Sequence, residues 1–251
     1  VGEPLLQVRA LYKRFGGVVA TDRLHLAVAP GSLHALIGPN GAGKTTLVAQ
    51  ICGEVEPDDG RIVFDGNDIS GFSAHERVAA GLARSFQITR IFGDLPASEN
   101  IALAVQARSG SSMRFWTPVA SESALREEAE RILAEFGLAG AGTRRAASLP
   151  HADQRRLEVA LALAGRPRLL LLDEPLAGMG AEDAQAMIEL IARLKERVTI
   201  LLVEHDMDAV FRLADVVSVL VTGRVIASGA PQAIRDDLEV RRAYLGEEEA
   251  A

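Results

Sequence analysis

The chain has 251 residues, 48% hydrophobic and 24% charged, which suits one compact domain or a core with a modest subdomain. Its 27 basic and 34 acidic residues give a net charge of −7, which argues against a general nucleic-acid surface. A single cysteine, Cys52, excludes an internal disulfide framework and fits a reducing compartment. No apolar stretch approaches the ~20 residues that cross a bilayer, and the amino end VGEPLLQVRA lacks the basic and apolar blocks of a secretory leader, so any membrane role is expected to be peripheral.

In chain order, LHALIG (33–38) reads as a short buried strand running into a glycine-rich turn, and KTTLVAQIC (44–52) as the helix that follows. RIVFDGNDI (61–69) looks like a strand ending in an Asp-Gly turn. From about Ile91 to Ser148 the pattern is helical and looped without a convincing strand, the clearest helix being LREEAERILAEFGL (125–138), with Gly137 as its stop. Pro150 is expected to open another helix, because its missing N–H has no intrahelical partner in the first turn; the free donors and positive dipole end there suit an anion. RPRLLLLDEP (166–175) and VTILLVEHD (198–206) read as strands buried on both faces with polar residues at their ends. VVSVLVTGRVIASG (216–229) reads as two strands about a Thr-Gly turn, DDLEVRRAYLG (236–246) as a final helix, and GEEEAA as a solvated tail. The class is α/β with an inserted helical subdomain.

Between the first strand and helix, GPNGAGKT (38–45) fits G-x-x-x-x-G-K-[ST] in the setting its mechanism needs. Gly41 and Gly43 allow the backbone to approach phosphates, Lys44 reaches β- and γ-phosphates, and Thr45 offers a hydroxyl to Mg²⁺. LLLLDEP puts Asp173 and Glu174 at a strand's carboxyl end, Asp173 to hold Mg²⁺ through water and Glu174 to polarise the attacking water; alone, the pair would equally suit a solvated strand end. His205, after ILLVE, is placed to bond a γ-phosphate or fix that water, and Gln87 in RSFQ to sense Mg²⁺ and γ-phosphate, although neither stands unaided.

The order of glycine loop, FQ, LPHADQRRLEVALAL, LLLLDEP and EHD resembles the ATP-binding subunit of an ABC transporter over nearly the whole chain. FGGVVATDRLHLAVAPG, LIGPNGAGKTTL, GLARSFQITRIFGDLPASENI and RRAYLGE look most like the ATPases of branched-chain amino acid transporters. The resemblance implies a P-loop NTPase core (1–90 and 160–251) with an antiparallel β subdomain and a helical subdomain at 91–159. It implies ATP with Mg²⁺, held by Phe15 stacked on adenine and by Gly38, Pro39, Asn40, Gly41, Ala42, Gly43, Lys44, Thr45 and Thr46. The metal would fall to Thr45, Gln87 and Asp173, and catalysis to Glu174 with His205 and Gln87. Phe15 as a plain core residue is the alternative. The partners implied are integral-membrane permeases, a second ATPase subunit and, indirectly, a solute-binding protein, with the chain peripheral on the cytoplasmic face and no nucleic acid involved.

In such ATPases a signature, usually LSGGQ, points at ATP on the other subunit; here Leu149, Pro150, His151, Ala152 and Asp153 stand in its place. Pro150 supplies neither hydroxyl nor N–H, Ala152 adds a methyl and Asp153 a negative charge. Two readings follow: a heterodimer in which LPHAD faces the weaker site, or a tolerated variant with full activity. LAGMG (176–180) stands at the expected D-loop without its usual aspartate. Trp116 in RFWTP, and RIF (90–92), are bulky residues suited either to anchoring a permease helix or to core packing; docking is expected on the surface just after Gln87. Rival functions are a lipopolysaccharide-type export ATPase, a non-transport ABC ATPase acting on nucleic acid or ribosomes, and a nucleotide-sensing module.

Overall fold

The computed structural model describes residues 2–85, 91–108 and 119–242. Strands β1 (Leu6–Phe15) and β2 (Val18–Val28) pair antiparallel with register shifts, one of them where Ala10 adopts a φ of 49°. Strand β3 (Leu33–Ile37) is buried at all five positions and feeds α1 (Lys44–Cys52). The 61–69 segment is a hairpin rather than one strand: β4 (Asp59–Phe64) turns back into β5 (Asn67–Asp68). Asp65 and Gly66 both sit at positive φ, 49° and 77°, as a two-residue turn between right-twisted strands requires. These strands form an antiparallel sheet of order β2-β1-β4-β5.

Helix α2 (Ala74–Ala79) starts at a capping box in which Ser73 and Glu76 satisfy each other's backbone, and leads to β6 (Leu82–Arg84). The helical layer consists of α3 (Ala97–Arg108), α4 (Val119–Glu135) and α5 (His151–Ala164), with no strand among its described residues. Gly137 stops α4 as expected, at φ 73°, while the Leu138 N–H returns to the Leu133 carbonyl at 2.8 Å. Helix α5 runs unbroken past residue 160, so the expected boundary after 159 falls within a helix and the chain leaves this layer at 165–168.

The rest alternates strand and helix: β7 (Leu169–Asp173), α6 (Ala181–Leu194), β8 (Thr199–Val203), α7 (Met207–Leu213), β9 (Val216–Val221), β10 (Arg224–Gly229) and α8 (Pro231–Asp236). The Thr-Gly turn between β9 and β10 is present, with Thr222 at φ 47° and Gly223 at 78°. The expected helix over 236–246 begins later, because the Asp237 carboxylate accepts the N–H groups of Glu239 and Val240 and caps a helical turn at 238–242; the rest of that helix and the expected tail lie outside the described residues.

The second sheet has the order β10-β9-β3-β8-β7-β6, parallel except for the β9–β10 edge. Its central strands are apolar on both faces for a visible reason. Leu169 and Leu171 pack with α1 and the antiparallel sheet, whereas Leu170 and Leu172 pack with α5 and α6. Burial on two sides fixes β7 and β8 in register, Asp173 beside Val203, and sends the polar residues after both strands to one edge.

Candidate functional site

Strands β3, β8 and β7 are parallel neighbours, so three loops emerge together at their carboxyl ends: the glycine loop, the segment at His205 and the segment at Glu174. Two glycines in the first loop are obligatory. A Cβ on Gly38 would strike the Leu220 carbonyl, and one on Gly43, at φ 104°, the Ala20 carbonyl. Gly43 is the N-cap of α1 without any side-chain cap, which leaves amide donors of the first turn for a ligand. Lys44, 6% exposed, curls over the loop and donates to the carbonyls of Gly38 and Pro39.

Beside this loop is a cavity of about 330 Å³ lined by Phe15, Asn40–Thr46, Glu174 and His205 together with the start of β2. Phe15 is 50% exposed, with Lys13 Nζ 5.4 Å from its ring centroid, so it is not a core residue. Pro39 stays next to the cavity through its carbonyl, which accepts from Lys44 and from the Ala42 N–H. His205 Nε2 lies 2.7 Å from Glu174 Oε1, joining two residues 31 positions apart. Glu174 itself is held at φ 50°, a conformation uncommon for a side chain of this size, with its N–H on the Val203 carbonyl at 2.8 Å. The sequence gives no sign of that strained backbone.

Comparison with known proteins fits this geometry. Residues 21–177 match the family model described as ABC transporter, and residues 224–250 that described as branched-chain amino acid ATP-binding cassette transporter. The high-affinity branched-chain amino acid transport ATP-binding protein BraF of Pseudomonas aeruginosa is 38% identical, covering 98% of this chain and 100% of its own length. The chain belongs to the ABC transporter family. The high-affinity branched-chain amino acid transport ATP-binding protein LivG of Escherichia coli K12 is 37% identical over the same shares. An ATP-binding cassette of an ABC transporter, solved in its ADP conformation, superposes with a TM-score of 0.83 at 27% identity, covering 98% of this chain and 100% of the other.

In this ABC cassette none of residues 149–153, expected to stand in the signature's place, lines the cavity. Pro150 is the N-cap of α5, one position before its first helical residue, and makes no side-chain cap; the helix starts at His151, not at the proline. Leu149 and Ala152 are buried, and His151 is exposed. Asp153 is paired with Arg156 at 3.2 Å, and Arg156 with Asp183 at 3.2 Å, so the extra negative charge at this helix end is partly neutralised. The LAGMG loop packs against the same end: a Cβ on Gly178 would sit 3.6 Å from the His151 ring.

Two residues at the site escape sequence reasoning. Glu204, 4% exposed, accepts the N–H of Leu176 at 2.8 Å and of His205 at 2.9 Å, bracing the LAGMG loop and the histidine with one carboxylate. Burial pushes its pKa up, opposed by those amide donors. Arg84 on β6 places Nη2 2.9 Å from Asp173 Oδ2 and Nη1 2.7 Å from Glu54 Oε2. Asp173 is 3% exposed; burial raises its pKa and the Arg84 hydrogen bond pulls the other way. An acid placed just after an apolar strand was the only available signal for Glu204, and Arg84 had none. Gln87, Arg90 and Trp116 lie outside the described residues; Phe92 is 61% exposed, while Ile91 packs partly against the helical core.

A second, more apolar concavity of about 640 Å³ separates the helical layer from the core, with Val78, Leu82, Arg84, Ala104, Leu161 and Pro167 on its walls. Among the described residues no helix is long and apolar enough to cross a membrane.

Proposed function

We propose that this chain is the ATP-hydrolysing subunit that powers transport of branched-chain amino acids or a related small solute, working with magnesium on the cytoplasmic face of the membrane. The observation that carries the reading is the single cavity joining Phe15, the glycine loop, Lys44, Glu174 and His205. Phe15 stacks on the base, and backbone amides of the loop with the Lys44 ammonium bind the phosphates. The 38% identical relative is named a branched-chain amino acid transport protein, which favours that solute class over export or nucleic-acid work.

Magnesium suits the donors present. Thr45 offers a hydroxyl at the cavity and Asp173 a carboxylate, paired with Arg84 through Oδ2, an oxygen-only set that leaves remaining positions for phosphate and water. When bound, the ion neutralises charge on the phosphoryl oxygens. The protein's own residues do the rest. Glu174 accepts the proton of the attacking water; His205, 2.7 Å from it, fixes its carboxylate; Gln87 senses the loaded site. Backbone donors aimed at the phosphates stabilise the transition state without reorganising.

Two ATPase subunits close around two nucleotides in this reading, each signature completing the other's site. Pro150 supplies neither hydroxyl nor N–H at the α5 terminus, which favours an unlike partner whose intact signature serves this chain's glycine loop. The apolar groove between core and helical layer receives a cytoplasmic segment of a permease, and a solute-binding protein acts on the permeases from the far side.

The test is Glu174→Gln. Loss of the base should reduce turnover by about 10²-fold or more while nucleotide affinity changes little. Equal turnover in the variant, or failure of the native chain to bind ATP at millimolar concentration with magnesium, overturns the reading; native binding without any turnover, alone or assembled with permeases, points to a sensing module instead.

A further inference from the structure

Arg84 sits on β6 and is registered beside Leu171 of β7, so the sheet itself delivers its guanidinium to Asp173 two residues further along. A carboxylate 3% exposed needs a partner, because the interior does not solvate its charge. The guanidinium supplies one with Nη2 at 2.9 Å and reaches Glu54 with Nη1 at 2.7 Å. The two carboxylates differ in setting: Asp173 is the metal ligand in the function proposed above, whereas Glu54, at 35% side-chain exposure, lies on the wall of the apolar groove. Arg84 lines that groove as well.

We propose that Arg84 is a positioning residue that shares Asp173 until a divalent cation takes the carboxylate, and that Glu54, already bonded to it, then holds the guanidinium alone of the two. This inference rests on the magnesium–nucleotide reading. A dication and a guanidinium drawn to one carboxylate repel each other, so cation loading weakens the Arg84–Asp173 pair and leaves Glu54 as the stronger partner. The forked guanidinium is suited to serve two carboxylates at once, which an ammonium group is not. One side chain thus ties the state of the nucleotide site to the charge on the groove wall, and by linkage whatever seats in the groove and pulls on Glu54 or Arg84 alters cation affinity by the same factor.

The experiment measures the Mg²⁺ concentration at half-maximal enhancement of fluorescent ADP binding, at pH 8, for the native chain, Arg84→Met and Glu54→Gln. ADP removes turnover from the measurement. Removing the competitor should lower the midpoint by about threefold to tenfold in Arg84→Met. Removing the alternative partner should raise it by about twofold to fivefold in Glu54→Gln, since the guanidinium then rests on Asp173 alone of the two. Opposite shifts are not expected of a residue that only props up the fold. A midpoint unchanged or raised in Arg84→Met, or unchanged or lowered in Glu54→Gln, overturns the proposal; should Arg84→Met fail to fold, the Glu54 variant decides alone. Absence of ADP binding by the native chain at any Mg²⁺ concentration would instead strike the nucleotide reading.

Discussion

Arg77 is among the largest fully buried side chains of the molecule, 1% exposed, although it stands on the short surface helix α2. It spends its charge on the end of the helix that begins at Lys44. Nη1 donates to the carbonyls of Gln50 and Ile51 at 2.6 and 2.8 Å, Nε to Phe72 at 3.0 Å and Nη2 to Ser70 at 3.0 Å. Gln50 and Ile51 belong to the last turn of α1, where the dipole favours a cation; the Gln50 carbonyl also accepts the N–H of the C-cap Gly53, whereas the Ile51 carbonyl relies on Arg77. Arg77→Met keeps the bulk and deletes all four bonds. The Phe72 and Ser70 carbonyls, in loops, can rehydrate, and the Gln50 carbonyl keeps the Gly53 N–H at 3.2 Å; that of Ile51 remains enclosed at about 1–3 kcal/mol. With the weakened Gln50 acceptor added and the guanidinium's relieved desolvation subtracted, the expected loss is about 1.5–4 kcal/mol. In a chain of this size that lowers the Tm by roughly 5–15 °C. Urea unfolding followed by circular dichroism gives the value, with an unchanged m-value as the check that the same transition is compared. A loss below about 1 kcal/mol refutes the reasoning, because it would mean that water already serves the Ile51 carbonyl.

Glycine substitutions should separate sterics from strain: Gly38→Ala and Gly43→Ala, each driving a methyl into a carbonyl, should cost more than about 3 kcal/mol, whereas Gly41→Ala, in open space at φ 76°, should cost about 1–2 kcal/mol in thermal unfolding. Equal losses at the three positions would contradict the packing described. His34, 2% exposed and 2.8 Å from Ser218, has its pKa pushed down by burial from 6.5 to about 4, against the pull of the Ala27 carbonyl. Since the unfolded chain binds the proton more readily, the neutral histidine's contribution is complete above pH 6.5 and is lost as pH falls towards 4, amounting to about 3 kcal/mol at about 1.4 kcal/mol per unit. His34→Gln should flatten the acid limb of stability across that window; an identical slope would assign the limb to other groups.

What the sequence made legible followed from local causes. Leu169–Leu172 form an apolar run bounded by charge, and two-sided burial is the reason such a run exists, so the strand and the acidic pair at its end were readable together. The glycine loop was readable because its backbone geometry admits few residues. Strands β1 and β2 came only through family resemblance: register shifts and the positive φ of Ala10 and Arg23 break the alternation that would have marked them. Helix α6 lay outside the expectations although Met187, Ile188, Ile191 and Leu194 give it a clear apolar face. The supporting residues of the site were not readable, since their partners are remote in sequence: Arg84 meets Asp173 across 89 positions, and Glu204 meets Leu176 across 28. Such pairings are created by strand order, which no local pattern contains.

Glu204 makes a mechanical point of its own. One carboxylate anchors both the amide that opens the LAGMG loop and the amide of His205, so neither segment can be displaced without straining the tether of the other. A displacement of residues 176–180 therefore reaches the His205 backbone across a single shared moorage, with no need for a longer relay through the protein.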